Sequence, residues 1–199
     1  MRVLVVLAHP RRDSFNAALA EALCEGLRRD GHEPDLADLY EEGFRPDLTA
    51  EDLRIYQSGA VPPDVAPYHA RIGAARGLAF VFPVWWFGMP AVMKGFVDRV
   101  LFEGFAFRFR ASGMAEGLLT HPRALVLNTT GVTATLYRTM GFGRPLKRSF
   151  DSWTLRMCGI REVKRVLFYD VVNAGDDVRA GYLGRARRLG ATYFKGPAR

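Results

Sequence analysis

The amino-acid sequence predicts a doubly wound α/β domain, a parallel sheet covered by helices on both faces. Short apolar runs alternate with longer amphipathic segments along the chain. The apolar runs are continuous rather than alternating, as strands buried on both faces require. No internal repeat or low-complexity tract divides the 199 residues, and that length fits one domain at roughly 100 to 200 residues each.

Val3 to Leu7 is a β-branched and Leu run and reads as a buried central strand. From Phe15, the positions Phe15, Ala18, Leu19, Ala22, Leu23 and Leu27 follow helical spacing; Asp13 or Ser14 can cap the start and Gly31 can close the end. Glu33 to Leu39 is a weaker second strand, followed by a Pro-containing stretch from Tyr40 to Pro67 with no clear periodicity. A short helix over 68–75 leads into a third strand, Leu78 to Val84. Pro90 then opens a helix whose Val92, Phe96, Val97, Val100 and Leu101 share a face. Ala124 to Leu127 is the fourth strand, 135–157 is helical with a break at Gly141 and Gly143, Val163 to Tyr169 is the fifth strand, and Val178 to Tyr193 is the last helix.

Apolar residues make up 49% and charged residues 25% of the chain, which excludes disorder and collagen. The apolar run Leu78 to Met93 is shorter than the roughly 20 residues of a membrane span and is interrupted by Pro83 and Pro90. The N-terminal apolar run meets charges rather than a small-residue cleavage site, so a cytoplasmic protein is expected. Cys24 and Cys158 stand apart in helix-like sequence and read as buried thiols. The four histidines have no metal-ligand spacing, so no metal is expected. Net charge is +7, spread along the chain without a recognition helix or interleaved aromatics, so nucleic acid is not the expected partner. A positive field suits instead the capture of an anionic small ligand.

In doubly wound sheets ligands bind beyond the carboxyl ends of the strands. Three unusual loops fall there: A-H-P-R-R-D-S-F-N after residue 7, W-W-F-G-M-P after 84, and N-T-T-G at 128. The first ends at a helix N-terminus, where free N–H groups, Ser14, Asn16 and His9 can hold a phosphate, although Asp13 opposes an anion unless it faces away. In the second, Trp85, Trp86 and Phe87 cannot all point inward, so at least one lines a flat pocket. Asn128, Thr129, Thr130 and Gly131 add polar donors. Neither G-x-G-x-x-G nor G-x-x-x-x-G-K-[ST] follows the first strand, and there is no G-x-S-x-G or H-E-x-x-H. Phosphate donors and aromatic walls without a nucleophile point to a cofactor, and a flavin has the required shape.

The segments A-H-P-R-R-D-S-F-N at 8–16, F-P-V-W-W-F-G-M-P-A-V-M-K-G-F-V-D-R-V at 82–100, and T-T-G followed by Tyr137 resemble the flavodoxin-like NAD(P)H:quinone oxidoreductase family. The resemblance implies a flavin-binding domain over 1–194 with strand order 2-1-3-4-5, a frayed tail at 195–199, and a homodimer. His9, Ser14, Phe15, Asn16 and Ala17 would hold the phosphate end, and Pro83, Val84, Trp85, Trp86 and Phe87 would frame the isoalloxazine. Thr129, Thr130, Gly131 and Tyr137 would contact the pyrimidine side and ribityl chain. NAD(P)H would deliver hydride to flavin N5 and a quinone would collect it at the same place, with Tyr137 as the catalytic hydrogen-bond donor. Larger members carry a histidine where this chain has Gly143, so Tyr137, water, Arg138 or Arg144 would have to serve. Phe107 and Phe109 replace tyrosines of the acceptor pocket, and Arg179 matches an adenine-side arginine, favouring FAD over FMN. Relatives of this type also include ancillary subunits of a potassium efflux antiporter and reductases of nitro or azo compounds, which are the alternative functions.

Overall fold

The computed structural model describes residues 1–195. Seven strands and seven α-helices succeed one another: β1 (Arg2–Leu7), α1 (Phe15–Arg29), β2 (Glu33–Asp38), α2 (Ala50–Gln57), α3 (Ala66–Ala74), β3 (Gly77–Pro83), α4 (Ala91–Val100), β4 (Phe107–Phe109), β5 (Ala115–Gly117), β6 (Arg123–Thr129), α5 (Ala134–Thr139), α6 (Gly143–Leu146), β7 (Glu162–Phe168) and α7 (Asp176–Thr192). A π-helical segment, Lys147–Leu155, precedes β7. The main sheet runs β2-β1-β3-β6-β7, parallel throughout. Counting only these five strands, that is the expected order 2-1-3-4-5. The hairpin β4–β5 is an addition that its short, half-exposed strands did not announce.

Successive residues of a strand face opposite sides, and here both sides are apolar. Val3, Val5 and Leu7, with Ala79, Val81, Leu125 and Leu127, face α1 and α7. Leu4, Val6, Phe80, Phe82 and Val126 face α3, α4 and the π-helical segment. α1 and α7 approach so closely that a Cβ on Gly26 would stand 2.0 Å from the Arg187 carbonyl oxygen, and one on Gly190 2.3 Å from that of Leu23. The remaining tail, 196–199, lies outside the described residues.

Two segments differ from the sequence reading. The helix expected over 135–157 has its break where Gly141 and Gly143 put it, between α5 and α6, but its second part continues as the π-helical segment, in which Phe150, Asp151 and Leu155 are buried together. A π-helix places residues five apart on one side, so Phe150 packs edge-on against Phe80 at 5.2 Å while its neighbour Asp151 also turns inward. The stretch 40–67 contains α2, capped by Thr49 and Asp52 in a reciprocal capping box.

That stretch is anchored by Arg99, a fully buried cation in α4. Its guanidinium donates to Asp64 at 2.9 Å, to Asp52 at 3.1 Å and to the Arg45 carbonyl at 2.7 Å, and lies 5.6 Å from the Phe44 ring. Burial raises the Asp52 carboxyl, but hydrogen bonds from Arg45, Thr49 and Arg99 outweigh it and hold the group well below the usual carboxylate range. Hydrogen bonds from Arg99 likewise lower Asp64. Removing one partner of a buried ion pair leaves the other charge uncompensated, so Arg99→Ala should cost about 3–5 kcal/mol in urea unfolding at pH 7. Groups with depressed folded values stabilise fully above their unfolded pKa of about 4 and lose that contribution as pH falls further. The gap between wild type and Arg99→Ala should therefore narrow below pH 4; a gap that widens there contradicts the assignment.

Candidate active site

β1, β3 and β6 end at Leu7, Pro83 and Thr129 on one edge of the sheet. Ladder bonds continue past them, from the Ala8 N–H to Val81 and from the Val84 N–H to Thr129. The loops that follow enclose a cleft of about 350 Å³, into which His9, Ser14, Phe15, Asn16, Pro83, Val84, Trp85, Thr129, Thr130, Gly131 and Arg179 all project. Arg11 and Asp13 also line it. Val171 and Val172, just beyond β7, complete the wall. Sequence reasoning missed those two, although a loop after the strand beside β6 belongs at this edge on the same grounds as the others.

At one end of the cleft stands the N-terminus of α1. Ser14 caps it by accepting from the Ala17 N–H at 3.1 Å, which leaves the hydroxyl proton free to donate. The N–H groups of a first helical turn have no partner within the helix, and those of Phe15 and Asn16 lie at the cleft. His9 accepts the Arg11 N–H at Nδ1 and its pKa is lowered by burial, so the neutral ring keeps its proton on Nε2 as a further donor. Asp13, the one residue that opposed an anion, is paired with Arg11 at 2.9 Å. Ala17 lies one position deeper, bordering a neighbouring groove.

Asn16 does more than line the cleft. Its amide donates to the Thr129 hydroxyl at 2.9 Å and accepts from it at 3.2 Å, both buried, tying α1 to the end of β6. Asn128 points to the other face, where it donates to the Phe82 carbonyl at 2.8 Å and accepts from Arg165, itself paired with Asp151. Of the two adjacent polar residues that end β6, Asn128 therefore holds the sheet and Thr129 holds the site.

The aromatic loop is a tight turn in which Trp85 and Gly88 exchange backbone hydrogen bonds of 3.1 and 3.0 Å. Its central residues, Trp86 and Phe87, have φ of +48° and +62°. Bulky residues rarely adopt that conformation, and such strain concentrates at functional sites. It is held by rings on either side: His9 lies 5.8 Å from Trp85 and Phe142 lies 4.8 Å from Phe87. Trp85 is 44%, Trp86 94% and Phe87 46% exposed, so all three leave the core and only Trp85 enters the cleft wall.

The fold and the sequence are similar to those of known proteins. A model of the flavodoxin-like fold matches residues 1–189. Rat NAD(P)H dehydrogenase [quinone] 1 is 31% identical over 98% of this chain and 79% of its own. An NAD(P)H oxidoreductase of Haemophilus influenzae is 33% identical over 90% of this chain and 89% of its own. The NAD(P)H:quinone oxidoreductase structure from Methanothermobacter marburgensis superposes with a TM-score of 0.89 at 34% identity, covering 97% of this chain and 98% of that one. The chain belongs to the flavodoxin-like quinone reductase family.

Within this flavodoxin-like family the cleft fits a flavin on its own chemistry. The capped α1 terminus and Ser14 suit a phosphate. Arg179 reaches the same cleft, donating to the Val171 carbonyl at 3.1 Å while its buried Nε has no partner. Tyr137 is placed differently: it is buried beside Tyr169 at 5.6 Å and Phe142 at 6.1 Å, in a second depression that shares no lining residue with the cleft. A Cβ on Gly143 would lie 2.8 Å from its ring, so the glycine is what admits the tyrosine there. Burial raises the Tyr137 pKa, with Arg165 opposing, and the hydroxyl stays protonated at neutral pH. Phe107 and Phe109 pack together at 5.5 Å on the β4–β5 hairpin and line neither depression. Cys24 and Cys158 are buried, and burial pushes both thiols up to about 12, as inert core groups. Among the described residues no cluster of potential metal ligands occurs, and no helix is long and apolar enough to cross a membrane.

Ser14→Ala removes both a cap and a donor. It should cost about 1 kcal/mol in thermal unfolding of the protein without cofactor and weaken flavin binding in a titration; unchanged flavin affinity would remove Ser14 from the phosphate cradle.

Proposed function

We propose that this protein is a flavin-dependent oxidoreductase that passes hydride from NAD(P)H to quinones. The observation that carries this reading is the convergence of a capped helix N-terminus and a strained aromatic turn on one cleft at the strand ends. When bound, the flavin supplies a ring that accepts hydride from a nicotinamide and gives it to a quinone. The chain's own residues bind and orient it. The Ser14 hydroxyl and the amides of Phe15 and Asn16 would take the phosphate, with His9 Nε2–H as a neutral donor.

The backbone of the turn at Trp86 and Phe87 presents N–H groups free of turn hydrogen bonds, suited to the polar edge of the isoalloxazine. Thr130 and Gly131 line the opposite side. Tyr137, protonated at neutral pH, would donate from the second depression to the pyrimidine side. No imidazole shares that place, because Gly143 leaves no side chain there.

The cofactor we favour is FAD. Arg179 lines the cleft beyond the α1 terminus, with its Nε unsatisfied, and a group past the first phosphate would be its partner. We further read the protein as a homodimer, because Trp86, Phe109, Met114 and Met140 are large apolar side chains left exposed.

Fluorescence titration of the cofactor-free protein tests the assignment. FAD should bind at least tenfold more tightly than FMN, and Arg179→Ala should remove that difference while leaving FMN affinity unchanged. The FAD-loaded sample should turn over NAD(P)H with a quinone and sediment at twice 22.3 kDa. A protein that binds neither flavin, or binds one without turnover, contradicts the proposal.

A further inference from the structure

The depression that holds Tyr137 has a chemistry of its own. It encloses about 370 Å³ between α5, α6, the start of the π-helical segment and β7. Its floor is the Tyr137 and Tyr169 rings, and its walls carry Arg138, Arg144, Lys147 and Arg165. No carboxylate lines it.

The charges around it are unbalanced, in contrast to several other parts of the chain. Arg2, Arg11, Arg28, Arg45, Arg71 and Arg99 are each matched by a carboxylate. Among the described residues, Arg138, Arg144 and Lys147 form no ion pair, and the nearby Asp151 is engaged by Arg165. Arg138 is held 5.7 Å from the Tyr169 ring, and Arg144 lies against Gly141, so both are directed along the rim by contacts with neighbouring groups. Three like charges on one wall repel one another unless an anion lies among them. A guanidinium is suited to two-pronged binding of phosphate or sulfonate oxygens, and a lysine adds a point charge.

Ring contacts connect the depression to the aromatic turn of the cleft: Phe142 lies 4.8 Å from Phe87 of that turn and 6.1 Å from Tyr137. Tyr169 is followed within two residues by Val171, which lines the cleft itself.

We propose that Arg138, Arg144 and Lys147 form an anion subsite that recognises a phosphate or sulfonate carried by one of the two substrates. This deepens the oxidoreductase reading and rests on it for the identity of those substrates. Two sources share the chemistry: the 2′-phosphate of NADPH, or an anionic substituent on the acceptor. Either way the subsite selects substrates by charge, leaving hydride transfer to the cleft.

Calorimetric titration distinguishes the sources without turnover. Adenosine 2′,5′-bisphosphate and adenosine 5′-monophosphate would be titrated into wild type, Arg144→Ala/Lys147→Ala and Arg138→Ala. All three residues are exposed, so folding should survive. If the donor is the source, the double variant should weaken the bisphosphate at least tenfold and leave the monophosphate unchanged, with a parallel loss of NADPH preference over NADH in KM. If the acceptor is the source, nucleotide binding should stay unchanged and the ratio of KM for a sulfonated naphthoquinone to KM for its unsulfonated parent, both measured on the same variant, should rise at least tenfold. Arg138→Ala should act in the same direction as the double variant.

No change in either series would overturn the subsite, even where quinone turnover is intact. Conversely, an arginine-dependent preference for the bisphosphate in a protein without quinone turnover would leave the subsite standing and remove the oxidoreductase reading.

Discussion

Because all five strands of the main sheet run in one direction, every carboxyl end arrives at the same edge, and the loops there must share one space. The paired hydrogen bonds between Asn16 and Thr129 make that shared space definite, since they join the first turn of α1 to the last residue of β6. Asn128, one residue earlier and facing the other way, ties β6 to β3 and, through Arg165, to Asp151 of the π-helical segment. Period-two alternation thus gives one dipeptide two tasks, aligning the sheet on one face and the cleft on the other. The phosphate cradle and the aromatic turn inherit their positions from that junction.

Away from the site, several cations are neutralised locally. The Arg99 cluster is the clearest case, with a cation of zero exposure held by two carboxylates and a carbonyl, fixing a stretch that lacks a continuous apolar stripe. At the site edge some cations lack a carboxylate: Arg179 keeps a buried, unpartnered Nε, and among the described residues Arg138, Arg144 and Lys147 beside Tyr137 form no ion pair, whereas Arg11 and Arg165 are paired with Asp13 and Asp151. A positive field there is what an enzyme of phosphorylated or acidic substrates would use to raise their encounter rate.

Much of this was legible in the amino-acid sequence where burial on both faces left unbroken apolar runs, as in Val3–Leu7 and Leu78–Phe82. Ser14, Trp85 and Thr129 could be placed at the site because strand ends and helix starts are local signals. The helix α2 was missed beneath flanking prolines, although Thr49 and Asp52 already spell a cap and its partner. The hairpin β4–β5 and the π-helical segment were not legible, because three-residue strands and a five-residue period carry almost no pattern over so few residues. Tyr137 and Arg179 were suggested by family resemblance rather than by spacing. The basic depression was hidden for a related reason, since it exists only once the π-helical segment is packed against β7.

The strand-end cleft is the site proposed for the flavin. A crystal structure of the protein after incubation with FAD tests it most directly. Phosphate oxygens are expected within hydrogen-bond distance of Ser14 and the α1 amides, the isoalloxazine against the Trp85–Gly88 turn, and the adenine-side phosphate near Arg179. A flavin bound at another surface, or a cleft left empty beside saturating FAD, would contradict that placement.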